Sequence, residues 1–244
     1  MSLILLLVGG TALGLVLAVE TRRWLDPTVS RPWHRSCENC QAPLSSWAWL
    51  GIPGSACARC GTKPPRRERL MALLAGVLAL CGGWLFSDWR QAVPAAVFLV
   101  VLGLVTWTDL EARLVPDRLL QVAVLGALVS ALAWPPAPWQ SIGFGALTLG
   151  GLALLLAVFS RGGLGGGDVK LAAVIGLFLG PLAGVLALLA AFIAAGSWAG
   201  VMLLSRRRRP HDSFALAPYL AGAAALVLSL RLGGVPFWGG PGLP

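Results

Sequence analysis

The strongest constraint on this chain is a succession of eight apolar runs separated by short polar stretches. Read at the roughly 17 to 22 apolar residues that a bilayer's hydrocarbon thickness demands, the runs fall near residues 2–19, 70–87, 92–108, 119–134, 141–159, 169–180, 182–204 and 214–230, the sixth being short. Such a chain is organised by hydropathy, not by a water-excluding core. Of the 244 residues 57% are hydrophobic and only 12% charged, with a mean hydropathy of +0.79, far from the mix of a soluble domain. The fold class expected is all-α: a polytopic transmembrane helical bundle of about eight spans.

The formal net charge of +9 raises the question of nucleic acid, and the placement of the basic residues answers it. If the eight runs cross in turn, the loops alternate sides, and 17 of the 19 Lys and Arg residues collect on one of them; only Arg90 and Arg231 lie opposite. Basic residues are retained in the cytoplasm during insertion, so the crowded side is cytoplasmic and both chain ends lie outside. The run Arg206-Arg207-Arg208-Arg209 reads as an anchor on anionic lipid head groups, with no nucleic-acid partner. The first run has no basic n-region and no small-x-small cleavage site before Glu20, so it reads as a retained helix and not a signal peptide.

Residues 20–69 form the one sizeable polar stretch, and they hold Cys37-Glu38-Asn39-Cys40 and Cys57-Ala58-Arg59-Cys60. Two-residue spacing lets both thiolates of a tight turn face one ion, and the sixteen residues between the pairs allow two such knuckles to close a tetrahedron. Thiols on the cytoplasmic side stay reduced, which disfavours two disulfides. A structural zinc ribbon is the reading, with redox cysteines or a rubredoxin-like iron as alternatives. About fifty residues with few apolar anchors need the metal to fold, and four thiolates close its coordination shell, so the chemistry lies elsewhere. His34 belongs to the ribbon surface, and Cys81, alone among Leu and Gly, serves as a small apolar group.

Two carboxylates mark the other place where chemistry is expected. Asp109 closes the third run, and Asp168 opens the sixth after the glycine-rich stretch Gly162-Gly163-Leu164-Gly165-Gly166-Gly167. An ionised carboxylate at bilayer depth costs about 2.5–3.5 kcal/mol on insertion scales, so each should face a wet cavity or a partner. Two carboxylates a few ångströms apart share a proton, which supplies one acid and one base near neutral pH. Taken singly, each has a plainer explanation: a head-group-zone charge for Asp109, a helix N-cap for Asp168, and close backbone packing or positive φ for the glycines.

Taken together, the double CxxC after the first run, Asp109 with Pro116-Asp117 after the third, and Gly165-Gly166-Gly167-Asp168-Val169-Lys170-Leu171 entering the sixth resemble the type IV prepilin peptidase family. The likeness runs through nearly the whole chain, and G-x-G-D-x-K-L is its most specific element. It implies a GxGD-type aspartic peptidase of the bacterial cytoplasmic (inner) membrane that removes the basic leader from type IV prepilin or pseudopilin precursors. By resemblance Asp109 and Asp168 are the catalytic pair, Gly165 and Gly167 the motif glycines, Lys170 the motif lysine, and Asp117 a second choice for the first acid. Reaching up to phosphate head groups would explain Lys170 equally well.

The domain boundaries that follow are a first helix at 1–19, a cytoplasmic zinc ribbon at 20–69, a transmembrane aspartic peptidase domain at 70–230 and a tail at 231–244. Many members of the family also methylate the new N-terminus with S-adenosylmethionine as donor. Here the chain departs from the pattern: Gly10-Thr11-Ala12-Leu13-Gly14-Leu15-Val16 has no asparagine, and only Pro64-Pro65-Arg66-Arg67-Glu68 follows the second CxxC. Glu20 and Glu68 are the acids nearest that region. Two readings from other classes stand beside the peptidase: a transporter relaying protons or cations through two membrane carboxylates, disfavoured by the lack of an internal repeat, and a noncatalytic assembly protein that docks through the ribbon.

Overall fold

The computed structural model describes residues 7–14, 16–17, 40, 42, 57, 59–61, 66–86, 89–133, 139–160, 163–205 and 215–230. From residue 66 onward the described residues form seven helices: α1 (Arg66–Leu85), α2 (Trp89–Ala112), α3 (Asp117–Ala133), α4 (Trp139–Phe159), α5 (Gly166–Leu179), α6 (Pro181–Leu204) and α7 (Ala217–Ser229). Residues 7–14 and 16–17 are helical as well, and no strand occurs among the described residues. The seven fall on the seven apolar runs from residue 70 onward. Three helical stretches, Gln91–Ala112, Ile142–Phe159 and Pro181–Leu204, are long and apolar enough to cross a membrane; Leu70–Leu85 and Ala217–Ser229 are shorter apolar helices.

Lipid tails are as apolar as leucine, so helices in a bilayer associate through close van der Waals packing, which small residues allow. The contacts here follow that rule. A Cβ on Gly82 of α1 would stand 2.6 Å from the Ala96 nitrogen of α2, and one on Gly184 of α6 would stand 2.6 Å from Leu149 of α4. The closest crossing joins α4 to α5, where a Cβ on Gly145 or Gly176 would collide with the carbonyl oxygen of the other. Gly10 and Gly14 sit in the same way against Ala79 and Ala75 of α1.

The break between α5 and α6 is made by Gly180, whose φ of 77° suits a residue without Cβ and whose N–H donates to the Gly176 carbonyl at 2.8 Å. Pro181 then opens α6, at a position where the missing N–H has no helical partner to lose. α2 packs against α1, α3 and α7, while α5 packs against α3, α4, α6 and α7.

Candidate active site

The end of α2 and the starts of α3, α5 and α7 meet at one end of the bundle. Asp109 lies near the end of α2 and is 6% exposed; with Thr108 it makes up the buried polar side chains of the described residues. The apolar run stops at 108, but the helix continues one turn further to Ala112, ending at Arg113 in the left-handed region with φ of 53°. Asp109 is therefore held inside helical backbone, not at a frayed end. The guanidinium of Arg113 acts electrostatically on its carboxylate.

The partner of Asp109 comes from a third helix. Its Oδ2 accepts a hydrogen bond from the backbone N–H of Ala217 at 3.1 Å. Ala217 is the first residue of α7, whose N-cap Leu216 makes no side-chain bond to the helix. The first N–H groups of a helix lack internal partners and carry partial positive charge. Asp109 thus caps α7 across 108 residues of sequence.

Asp168 belongs to the first turn of α5 and is half-buried. It is not the N-cap: that position falls to Gly165, in extended backbone at φ −71° and ψ 147°. The Asp168 N–H donates to the Gly165 carbonyl at 3.1 Å. Asp109 is near enough to act on the Asp168 carboxylate through its charge.

An aromatic pair joins α2 and α5 away from the acids. Phe98 of α2 and Phe178 of α5 stack with ring centroids 4.4 Å apart, and both are buried. Asp109 lies eleven residues beyond Phe98, and Asp168 ten residues before Phe178. At about 1.5 Å per residue, those separations are about 16 and 15 Å. Both acids therefore arrive at one level.

The glycines of the loop work by leaving space. Among the described residues the positive-φ glycines are Gly61 and Gly180, so the left-handed conformation allowed for Gly163 and for Gly165 to Gly167 is not used. A Cβ on Gly167 would stand 2.9 Å from Val115 in the α2–α3 connection, and one on Gly165 would stand 3.3 Å from the Asp168 Oδ2. Lys170 donates to both carboxylate oxygens of Asp117 at 2.7 Å, so the two lesser candidates of the sequence bind each other. Ala217, Phe98, Phe178 and Val115 left no mark in the sequence: one acts through its backbone, the others look like any apolar residue of a span.

The cysteines form a separate cluster. The sulfurs of Cys40, Cys57 and Cys60 lie within 4.8 Å of one another. The Cys40–Cys57 separation of 3.6 Å is too long for a disulfide and near the edge of a tetrahedron built on zinc–sulfur bonds of about 2.3 Å. The backbone N–H groups of Cys60 and Arg59 hold the Cys57 thiol below the usual thiol range, and Gly61, at φ 70°, turns back to donate to the Cys57 carbonyl at 2.8 Å. The three sulfurs could hold a metal ion. Cys37, His34 and Glu20 lie outside the described residues, as does the side chain of Glu68.

Two buried or half-buried acids at one level, the second entering its helix from a glycine-rich turn, agree with what comparison with known proteins finds. Residues 96–200, which contain both acids and the glycine turn, match the model of the type IV leader peptidase family. A prepilin leader peptidase/N-methyltransferase of Dickeya chrysanthemi is 31% identical over 243 residues, covering 88% of this chain and 83% of the relative. The chain belongs to this family. Proteins of the same name from Bacillus subtilis and Neisseria gonorrhoeae are 27% identical over 196 residues and 30% identical over 155. The alignment takes in 79% of the Bacillus relative and 54% of the Neisseria one. No solved structure matches the chain. As a type IV leader peptidase the protein is a peptidase, and the transporter reading is not favoured. The cysteine cluster lies outside the stretch that the family model matches.

Proposed function

We propose that the protein is a multi-pass aspartic endopeptidase of the bacterial cytoplasmic membrane that removes the basic leader from type IV prepilins or pseudopilins through Asp109 and Asp168. The observation that carries this reading is the meeting of the two acids at one end of the bundle, with Asp109 buried and acting on Asp168. One carboxylate takes a proton from water, which attacks the scissile carbonyl; the other, protonated, gives its proton to the carbonyl oxygen. The tetrahedral diol then collapses as a proton passes to the departing amine. Because Asp109 Oδ2 accepts from Ala217, its Oδ1 is the oxygen left to exchange protons with water.

Topology supports the membrane face. With about eight crossings, the end that carries both acids is the side on which 17 of 19 basic residues fall, which is cytoplasmic. A precursor with a basic leader followed by an apolar helix presents its scissile bond at that surface.

We read residues 20–69 as a zinc ribbon held by Cys37, Cys40, Cys57 and Cys60, on the CxxC spacing and the clustering of three sulfurs within 4.8 Å of one another. Zinc bound there supplies structure, since four thiolates leave no open position. The remaining divisions are the first helix at 1–19, the peptidase domain at 70–230 and the tail at 231–244. The relatives' name includes N-methyltransferase, and transfer of a methyl group from S-adenosylmethionine is the corresponding second activity proposed for this chain.

Coexpression with a pilin-like precursor tests the central reading. Wild type should shorten the precursor on a gel, and Asp109→Asn and Asp168→Asn should each lower the rate by about a thousandfold or more. Processing that survives either change removes that residue from the dyad. Mass spectrometry of the trimmed product reads the methyl group directly. For the ribbon, metal analysis of the purified protein should find one zinc per chain, lost in Cys57→Ser and Cys37→Ser.

A further inference from the structure

Resting on the dyad reading above, we propose that Lys170 and Asp117 form a positioning clamp that fixes the rotation of the first turn of α5, and with it the aim of Asp168 at Asp109. The first turn needs such a tie. It begins at Gly165, Gly166 and Gly167, the residue type that holds a helix least well apart from proline, and its N-cap makes no side-chain hydrogen bond. The Phe98–Phe178 stack and the Gly145–Gly176 crossing hold the far half of α5, the stack lying about 15 Å from Asp168, and a helix held there can still unwind at its glycine end.

Lys170 supplies that tie. Its ammonium meets both oxygens of Asp117, each at 2.7 Å, and Asp117 is the first residue of α3. Lys170 and Asp168 are two residues apart, about 200° around a helix of 3.6 residues per turn. Holding the lysine against α3 therefore turns Asp168 to the other side of α5. The seat of Gly167 on Val115, where a Cβ would stand at 2.9 Å, joins the same two segments between these residues.

Lys170 is engaged by Asp117. Both partners are more than half exposed, so the contact is screened and contributes little to global stability. Its effect is local: it selects one arrangement of a glycine turn that has several.

The test uses the full chain in lipid–detergent micelles, with leader removal from a pilin-like precursor followed as kcat and KM. Lys170→Met and Asp117→Asn should each lower kcat about fivefold or more and leave KM within about twofold, the signature of a lost transition-state arrangement, not lost binding. Lys170→Arg, which keeps a bidentate donor, should retain activity. The exchanged pair, Lys170→Asp with Asp117→Lys, should return kcat to within about threefold of wild type, the residue reflecting a lysine at a helix N-terminus.

Single variants that cleave as wild type overturn the clamp. So does an exchanged pair that melts like wild type yet stays as slow as the singles, because the lysine then acts on substrate or lipid in its own right. Cleavage that persists in Asp168→Asn overturns the dyad and the clamp together; cleavage that disappears in Asp168→Asn but is indifferent to Asp117→Asn overturns the clamp alone.

Discussion

α2 and the pair α4 and α6 have nearly the same hydropathy and opposite surroundings. Their membrane-spanning windows average 1.9, 2.2 and 2.1, yet 67% of the α2 window is buried inside the protein against 22% for each of the others. α2 is wrapped by helices. α4 and α6 turn Leu147, Leu154, Phe159, Leu189, Ile193 and Leu204 outward, where lipid is an adequate solvent. Hydropathy measures whether a segment tolerates a bilayer, and neighbouring protein and lipid tails satisfy it equally well. The difference lies in what each helix carries: α2 holds the buried Thr108 and Asp109, and an acid in this setting needs protein around it to supply Ala217 and its N–H.

The sharpest way to break this contrast is to truncate one large aromatic on each side of it. Phe98→Ala removes a buried, stacked ring from α2 and should destabilise the protein by about 3–5 kcal/mol, read by denaturant unfolding in micelles; misalignment of the acids should slow leader removal as well. Phe159→Ala on α4, where the ring is 80% exposed, should stay within about 0.5 kcal/mol. Equal losses would mean that α4 is covered by protein after all.

Glycines sharpen the comparison at smaller scale. Gly176→Ala on α5 drives a methyl into the Gly145 carbonyl and should cost about 1–3 kcal/mol. Gly151→Ala, on the outer face of α4 with nothing within 4 Å of the new Cβ, should stabilise by up to about 1 kcal/mol through helix propensity. Thermal unfolding of the two variants side by side checks the sign. A stabilised Gly176→Ala would deny the close α4–α5 crossing.

Much of the fold was legible because lipid leaves few choices. Helices Trp89–Ala112 and Gly166–Leu179 lie within a few residues of the runs at 92–108 and 169–180, since a long apolar run satisfies its backbone by coiling. The errors sit at the polar ends. The α2 helix passes through Asp109 because Arg113, in the left-handed region, closes it one turn later, and Asp168 enters the helix because the chain starts coiling at glycines that no propensity rule would choose. Nor do those glycines use the positive φ that their type permits; they make room for Val115 and for the Asp168 carboxylate.

The candidate site divides in the same way. Asp109, Asp168 and the cysteines stood out because a carboxylate or thiolate in such surroundings has few inert uses. Lys170 and Asp117 were visible as residues but not as partners, being 53 positions apart. Their union requires that α3 and α5 start side by side, which depends on how four helices pack.

From sequence alone came the helical class, the membrane habit, the two acids and the paired cysteines, because each is fixed by the chemistry of a residue and its near neighbours. Which helix is enclosed, which oxygen of Asp109 is taken, and what holds the glycine turn in place were decided only in the folded chain. The reason is that these depend on contacts between segments tens to a hundred residues apart, made by glycines, alanines and backbone amides that look alike wherever they occur.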